Sequence, residues 1–248
     1  MSPTTTVTAE AMSPGKQSRG TRTSRAVALL LLVGALAYTT WVFEAFLPTG
    51  ISPLRSYVSE LAGEDQPYGT FFRTADLFGG LFVLAGAVVA LVRPPRGALA
   101  VTGWAGLVLF GAATVADSRL PLSCAPTADA GCAARERAGD IPWTHAAHAF
   151  SSSSAVVGAL IGMVLLTVVA RRHADSWPLL ARTGPVLVVV ELAATGWTLA
   201  AVAAFDAGHG TWGLGVAQRI QLLSIAVWIA ALAWSVLSSA ADPAERRG

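Results

Sequence analysis

The sequence predicts an all-α protein: a polytopic transmembrane bundle of six helices, with both termini cytoplasmic and a short interfacial helix in the first outer loop. Three observations carry this reading. The chain is 54% hydrophobic and only 13% charged, where a soluble domain is roughly a quarter charged, and its mean hydropathy is +0.57. Mainly apolar runs of about 20 residues, the length that crosses a hydrocarbon core, recur six times. Basic residues gather on alternate connections between those runs.

Residues 1–25 are rich in Ser, Thr, Pro and Gly, with Lys16, Arg19, Arg22 and Arg25 near the end. Such a composition builds no core and is expected to be a disordered cytoplasmic tail. The first span is Ala26–Phe46. Ala35-Leu36-Ala37 resembles a leader-peptidase site, but hydrophobicity continues through Trp41, Val42 and Phe43 to Leu47, so the run is read as a span and not a cleaved leader. Thr70–Val92, Ala98–Ala116, His145–Ala170, Leu179–Phe205 and Gly213–Ser238 follow. They complete a transmembrane domain over 26–239, and 240–248 form a second cytoplasmic tail. Helices are required because lipid-exposed backbone must satisfy its own hydrogen bonds, and the ten-residue alternation of barrel strands is absent.

Arg93, Arg96, Arg171, Arg172, Arg182, Arg246 and Arg247 join the N-terminal tail on one side, the cytoplasmic one by the positive-inside rule. Glu60, Glu64, Asp65, Asp129, Glu136, Asp140 and Asp206 lie opposite. A net charge of +2 argues against nucleic acid as a partner; the bilayer is the expected one, a lipid head group a second, and the oligomeric state is left open. Lys16 is the only lysine, which suits a GC-rich bacterial genome and a bacterial plasma membrane.

Both cysteines, Cys124 and Cys132, sit in the third-to-fourth connection on the oxidising side. A disulfide is favoured there, with two free thiols as the alternative. It would be worth roughly 2–3 kcal/mol against the unfolded chain and would hold this loop as a lid. In the first outer connection, Leu54, Tyr57, Val58 and Leu61 recur at helical spacing between Pro53 and Gly63. That spacing predicts the interfacial helix, with Ser59 and Glu60 on its polar side.

Ionisable groups collect at the outer ends of the spans: Glu44, Arg73, Asp76, Asp117, His145, His148, and Arg219 flanked by Gln218 and Gln221. Such groups face the bundle and pair with one another. His145, His148 and Ser152 share one helix face. With Asp117 the two histidines have the donor types of a zinc site that keeps one position open for water, and Glu60 and Ser59 would complete a hydrolytic centre. Against this, histidines at a span end commonly bond carbonyls or carboxylates, and no His-Glu-x-x-His signature is present; this structural reading carries more weight. Glu191 lies ~18 Å from either end of its span. It reaches toward Arg219 across ~9 Å of depth, bonds Thr195 or a neighbouring hydroxyl, or serves as a proton relay. Gly158-x-x-x-Gly162 is read as a packing contact within the bundle.

"PLRSYVSELAG", "DSRLP" with the Cys124–Cys132 loop, "HAAHAFSS" and "GVAQRI" followed by Trp228 resemble the six-helix membrane proteins of the domain-of-unknown-function family numbered 998, over roughly Ala26 to Ser238. On that resemblance Ser59, Glu60, Leu61, Asp117, His148, Gln218 and Arg219 match the family's recurrent polar positions. Ala62 stands where glycine is usual. The resemblance implies no activity. A looser similarity to membrane hydrolases related to alkaline ceramidase suggests the zinc idea, although the His-x-x-His spacing here departs from theirs.

Three functional readings follow. The leading one is a multi-pass protein with an outward-facing polar pocket. One alternative is a metal-dependent hydrolase of a lipid-linked substrate, with zinc on Asp117, His145 and His148. The other is a proton-coupled transporter or binder of anionic head groups, in which Arg219, Gln218, Arg73 and Asp76 hold the ligand and Glu191 carries the proton.

Overall fold

A computed structural model of the chain describes residues 14–92 and 97–241. Every regular element among them is helical: α1 (Pro14–Tyr38), α2 (Gly69–Leu91), α3 (Gly97–Asp117), α4 (Ala130–Ala138), α5 (Trp143–Arg172), α6 (Pro178–Asp206) and α7 (Leu214–Ala241). Short 3-10 segments cover Thr40–Phe46 and Val58–Ala62. Six of the helices are long and apolar enough to cross a bilayer, the first span running Gly20–Phe46 through the 3-10 segment that follows α1. Their ends fall within about two residues of the expected ones, except that α1 starts at Pro14, upstream of Ala26. Once the apolar run has nucleated a helix, each further turn only propagates it. Residues 1–13 and 242–248 of the expected tails, and Arg93 and Arg96, lie outside the described residues.

The spans pack in the order α1, α2, α3, α5, α6, α7 and back to α1, closing a ring. Small residues set the approach. A Cβ on Gly158 of α5 would stand 2.5 Å from the Phe110 backbone nitrogen of α3, and one on Gly111 of α3 would stand 2.7 Å from the Leu84 nitrogen of α2. The glycine pair at 158 and 162 therefore serves contact inside the bundle: a side chain at Gly158 would strike the α3 backbone, and one at Gly162 would strike the Leu107 side chain. Trp104, Phe110, Met163, Leu166 and Trp228 fill the interior. The buried Trp228 indole N–H is satisfied by Thr167 Oγ1 at 3.0 Å.

Two ends of the ring differ. One gathers Ser24 of α1, Ala90 of α2, Ala100 of α3, His173 beyond α5, Trp177 before α6 and Ser239 of α7 around a cavity of about 340 Å³. The other, here the polar end, holds the long connections. There Thr39 and Thr40 turn their hydroxyls back onto the carbonyls of Leu36 and Ala37, at 2.8 and 2.6 Å, where α1 tightens into 3-10 geometry. Trp143 and Phe46 stay 73% and 80% exposed, as interfacial aromatics do.

The connection between the first two spans differs from its expected form. Helical geometry is confined to Val58–Ala62, Leu54 is exposed, and Glu60 is fully buried instead of lying on a polar outer side. The reason is tertiary: the Glu60 carboxylate finds its donors in the disulfide loop, which folds over it.

Candidate functional site

The Cys124–Cys132 disulfide is formed, with the Cα atoms 5.9 Å apart. It closes a loop that leads into α4, where Asp129 caps the first turn by accepting from the Gly131 N–H at 2.8 Å. Gly139 ends the helix at φ 71°, a left-handed cap that glycine adopts without a Cβ clash. This loop presents Thr127 to Glu60: the Thr127 N–H donates to Oε1 at 2.8 Å and its hydroxyl to Oε2 at 2.6 Å. Burial pushes the Glu60 carboxyl above the ordinary carboxylate range, and the hydrogen bonds from Thr127 and Ser56 pull it partly back.

The same loop holds His145. The Ser123 N–H donates to His145 Nδ1 at 3.1 Å, with Ser123 Oγ 2.9 Å away. A backbone N–H can only donate, so Nδ1 carries the lone pair and the ring hydrogen sits on Nε2. Nε2 has no hydrogen-bond partner and lies 3.5 Å from Glu136 Oε1.

A second knot fastens α7 to the first span. Arg219 donates to Glu44 from Nε at 2.6 Å and from Nη2 at 2.5 Å, a two-pronged pair with both side chains about one-tenth exposed. Its Nη1 donates to the carbonyls of Ser56 and Gly215 at 3.1 and 3.0 Å. Beside it, Gln218 Oε1 accepts from the Val58 N–H at 2.8 Å. Arg73 is likewise occupied, donating to the Ala62 and Gly63 carbonyls at 2.7 and 3.1 Å and to Thr70 Oγ1 at 3.1 Å.

Between these knots lies a cavity of about 130 Å³. Asp76 of α2, Asp117 of α3, His148 and Ser152 of α5, and Gln218 and Gln221 of α7 are among its polar lining, and Tyr38, Trp41 and Phe72 form its aromatic wall. Asp117 accepts from the hydroxyls of Ser151 and Ser152, the latter at 2.7 Å. His148 Nδ1 lies 2.9 Å from the Leu120 carbonyl oxygen and 3.5 Å from Asp117 Oδ1. His148 Nε2 is 3.2 Å from Ser152 Oγ. No protein donor among the described residues meets the Asp76 carboxylate, and the buried Trp41 indole N–H has no acceptor.

Glu191 sits deeper in the bundle. Its carboxylate accepts from Thr195 at 3.2 Å and Ser224 at 2.5 Å. Gln221, on the cavity wall, donates to Thr195 at 2.8 Å and accepts from Thr198 at 3.4 Å. Arg219 is paired elsewhere.

Of the residues singled out in the sequence, Asp76, Asp117, His148, Gln218 and Ser59 share the cavity. Glu60, Arg73, Arg219 and His145 are engaged around it. Asp117, His145 and His148 are not gathered about one point, and among the described residues no three His, Cys, Asp or Glu side chains are grouped to hold a metal ion. Glu44 as the partner of Arg219, Thr127 as the partner of Glu60, and Ser151 and Ser152 as donors to Asp117 are not foreseen in the sequence, although its spacing places Ser152 on the face of His148. The serines had one signal: they stand three and four residues after His148, on its own helix face.

The model of the family described as "Protein of unknown function (DUF998)" matches residues 13–235. The chain belongs to the DUF998 family. It is a multi-pass membrane protein by its six apolar helices. No curated protein and no solved structure matches it. The DUF998 match spans every element that builds the polar-end cavity.

Proposed function

We propose that this DUF998 protein binds a small ammonium-bearing group in its polar-end cavity, which faces away from the cytoplasm. The observation that carries the reading is Asp76, a carboxylate lining the cavity without a protein donor while Asp117 lines the same space. Two acidic groups in a low-dielectric site attract a cation strongly. Tyr38, Trp41 and Phe72 add aromatic side chains, which favour ammonium ions, to the lining. No arginine or lysine is among the lining residues, and Arg219 and Arg73 spend their donors inside the protein. An anionic head group therefore finds no free cation among the lining residues.

Size narrows the ligand. Drug-sized ligands occupy roughly 300–1,000 Å³, so a cavity of about 130 Å³ suits a head group and not a whole lipid. Sidedness is supported by Arg22, Arg25, Arg171, Arg172 and Arg182, which stand toward the opposite end.

The test uses purified protein in nanodiscs, with thermal unfolding and calorimetric titration of ethanolamine, choline and the uncharged choline isostere 3,3-dimethylbutanol. Binding of the amines, weakened ~10-fold or more in Asp76→Asn and absent for the neutral isostere, is expected. Comparing phosphatidylethanolamine with phosphatidylglycerol nanodiscs separates a lipid source from a free amine: pre-occupancy by lipid blocks the titration only in the former. Absence of amine binding in both lipids, or equal binding by Asp76→Asn, overturns the reading.

A further inference from the structure

We propose that the cavity also carries out acyl transfer, with Ser152 as nucleophile and His148 as general base, on a small ester whose alcohol bears the ammonium group. The nucleophile assignment stands on its own geometry; the ammonium part of the substrate rests on the binding reading above.

The Leu120 carbonyl oxygen, 2.9 Å from His148 Nδ1, can only accept. It fixes the hydrogen on Nδ1 and leaves the Nε2 lone pair 3.2 Å from Ser152 Oγ. That is the tautomer a general base needs, held by a backbone group that cannot supply a proton in its place. The Ser152 hydroxyl, which rests on Asp117 Oδ2 at 2.7 Å, has only to rotate about its C–O bond to donate to Nε2 instead. Asp117 Oδ1, 3.5 Å from Nδ1, lies where it stabilises the imidazolium formed when the serine proton moves. Ser152 is half-buried and lines the cavity with His148 and Asp117. The helix delivers this arrangement cheaply, since residues 148 and 152 are one turn apart.

Two donors complete the chemistry. Val58 N–H donates to Gln218 Oε1, which orients the amide so that its NH₂ is the half left over. The Trp41 indole N–H is buried without an acceptor. Both residues line the cavity that holds Ser152. An unpartnered buried donor is costly in a protein interior, and a developing oxyanion is an acceptor that would satisfy the Trp41 N–H, with the Gln218 NH₂ as a second donor.

Ser152 Oγ bonds to the acyl carbon while its proton passes to His148 Nε2, and the ester C–O bond breaks with that proton going to the departing amino alcohol. Water, deprotonated by His148, then attacks the acyl-serine; the free acid leaves and the Ser152 hydroxyl is restored. Leu120 and Asp117 act through His148 and are positioning groups.

The test treats the full chain in nanodiscs with diisopropyl fluorophosphate, whose P–F bond yields to an activated serine, and maps the adduct by mass spectrometry. A single adduct on Ser152 is expected. It should disappear in Ser152→Ala, form ~100-fold more slowly in His148→Gln, and form unchanged in Ser153→Ala, whose hydroxyl is exposed and bonds the Ala149 carbonyl. Acetylcholine, a small choline ester, is expected to release acetate only with Ser152 present. A monodisperse, disulfide-intact wild type that takes no label overturns the proposal, as does label on Ser152 at an equal rate in His148→Gln. The two readings fail separately. Label on Ser152 that choline does not slow removes the ammonium reading alone; choline binding without label removes the nucleophile alone.

Discussion

Two polar clusters share one end of the bundle and differ in how their atoms are satisfied. Around Arg219 and Glu60 every charge meets partners: Glu44 and two carbonyls for the arginine, Thr127 by both N–H and hydroxyl for the glutamate. Around Asp76 the accounting stays open, with a carboxylate lacking a protein donor and an indole N–H lacking an acceptor on one cavity. By charge alone the clusters look alike. The difference teaches where a ligand is to be sought in such a protein: at a charged group left without a protein partner, because buried charges that serve only the fold are paired with each other.

The largest effect expected from breaking this contrast is in the closed cluster. Arg219→Ala leaves Glu44 buried without its counter-charge and is expected to destabilise the folded protein by about 3–5 kcal/mol, measured by unfolding in mixed micelles. The double change Arg219→Met/Glu44→Met is expected to recover most of that, since no uncompensated charge then remains. A smaller, pH-dependent effect is expected at Glu60. Its folded-state pKa is raised, chiefly by burial, so the folded state binds that proton more tightly than the unfolded chain. The associated stabilisation is complete below the unfolded pKa and is lost as pH rises through the raised value. Stability should therefore fall with pH above the ordinary carboxylate range, by at most ~1.4 kcal/mol per pH unit for one proton. Glu60→Gln, which keeps an acceptor for the Thr127 N–H, should flatten that slope. The smallest stability effect belongs to the open cluster: Asp76→Asn breaks no protein contact and is expected to shift stability by no more than ~0.5 kcal/mol while weakening amine binding. A large loss of stability in Asp76→Asn would show that its carboxylate belongs with the closed set.

Much of the fold was legible before any coordinates. Six spans came from the length of apolar runs, since a bilayer admits few alternatives, and the disulfide came from two cysteines sharing one loop. The close contact at Gly158 was legible from spacing. The site was legible only in composition. Glu44 and Arg219 are 175 residues apart and Glu60 and Thr127 are 67 apart, separations over which no helical period carries information. Arg219 and Arg73, read as ligand-binding, look the same in sequence whether their donors meet a ligand or a carbonyl of the first connection. His145 and His148 stand three residues apart on one helix, yet one faces Ser123 and the other Leu120; the loop between α3 and α5, not the helix, assigns their partners.

The sequence by itself determined that this chain crosses a membrane six times and gathers most of its acidic groups at one end, because the cost of burying polar atoms in hydrocarbon acts on each residue separately and can be read residue by residue. Only the tertiary structure decided which of those groups are paired within the protein and which face a cavity. Pairing depends on the distance between atoms far apart in the chain, and that distance is set by how six helices close a ring.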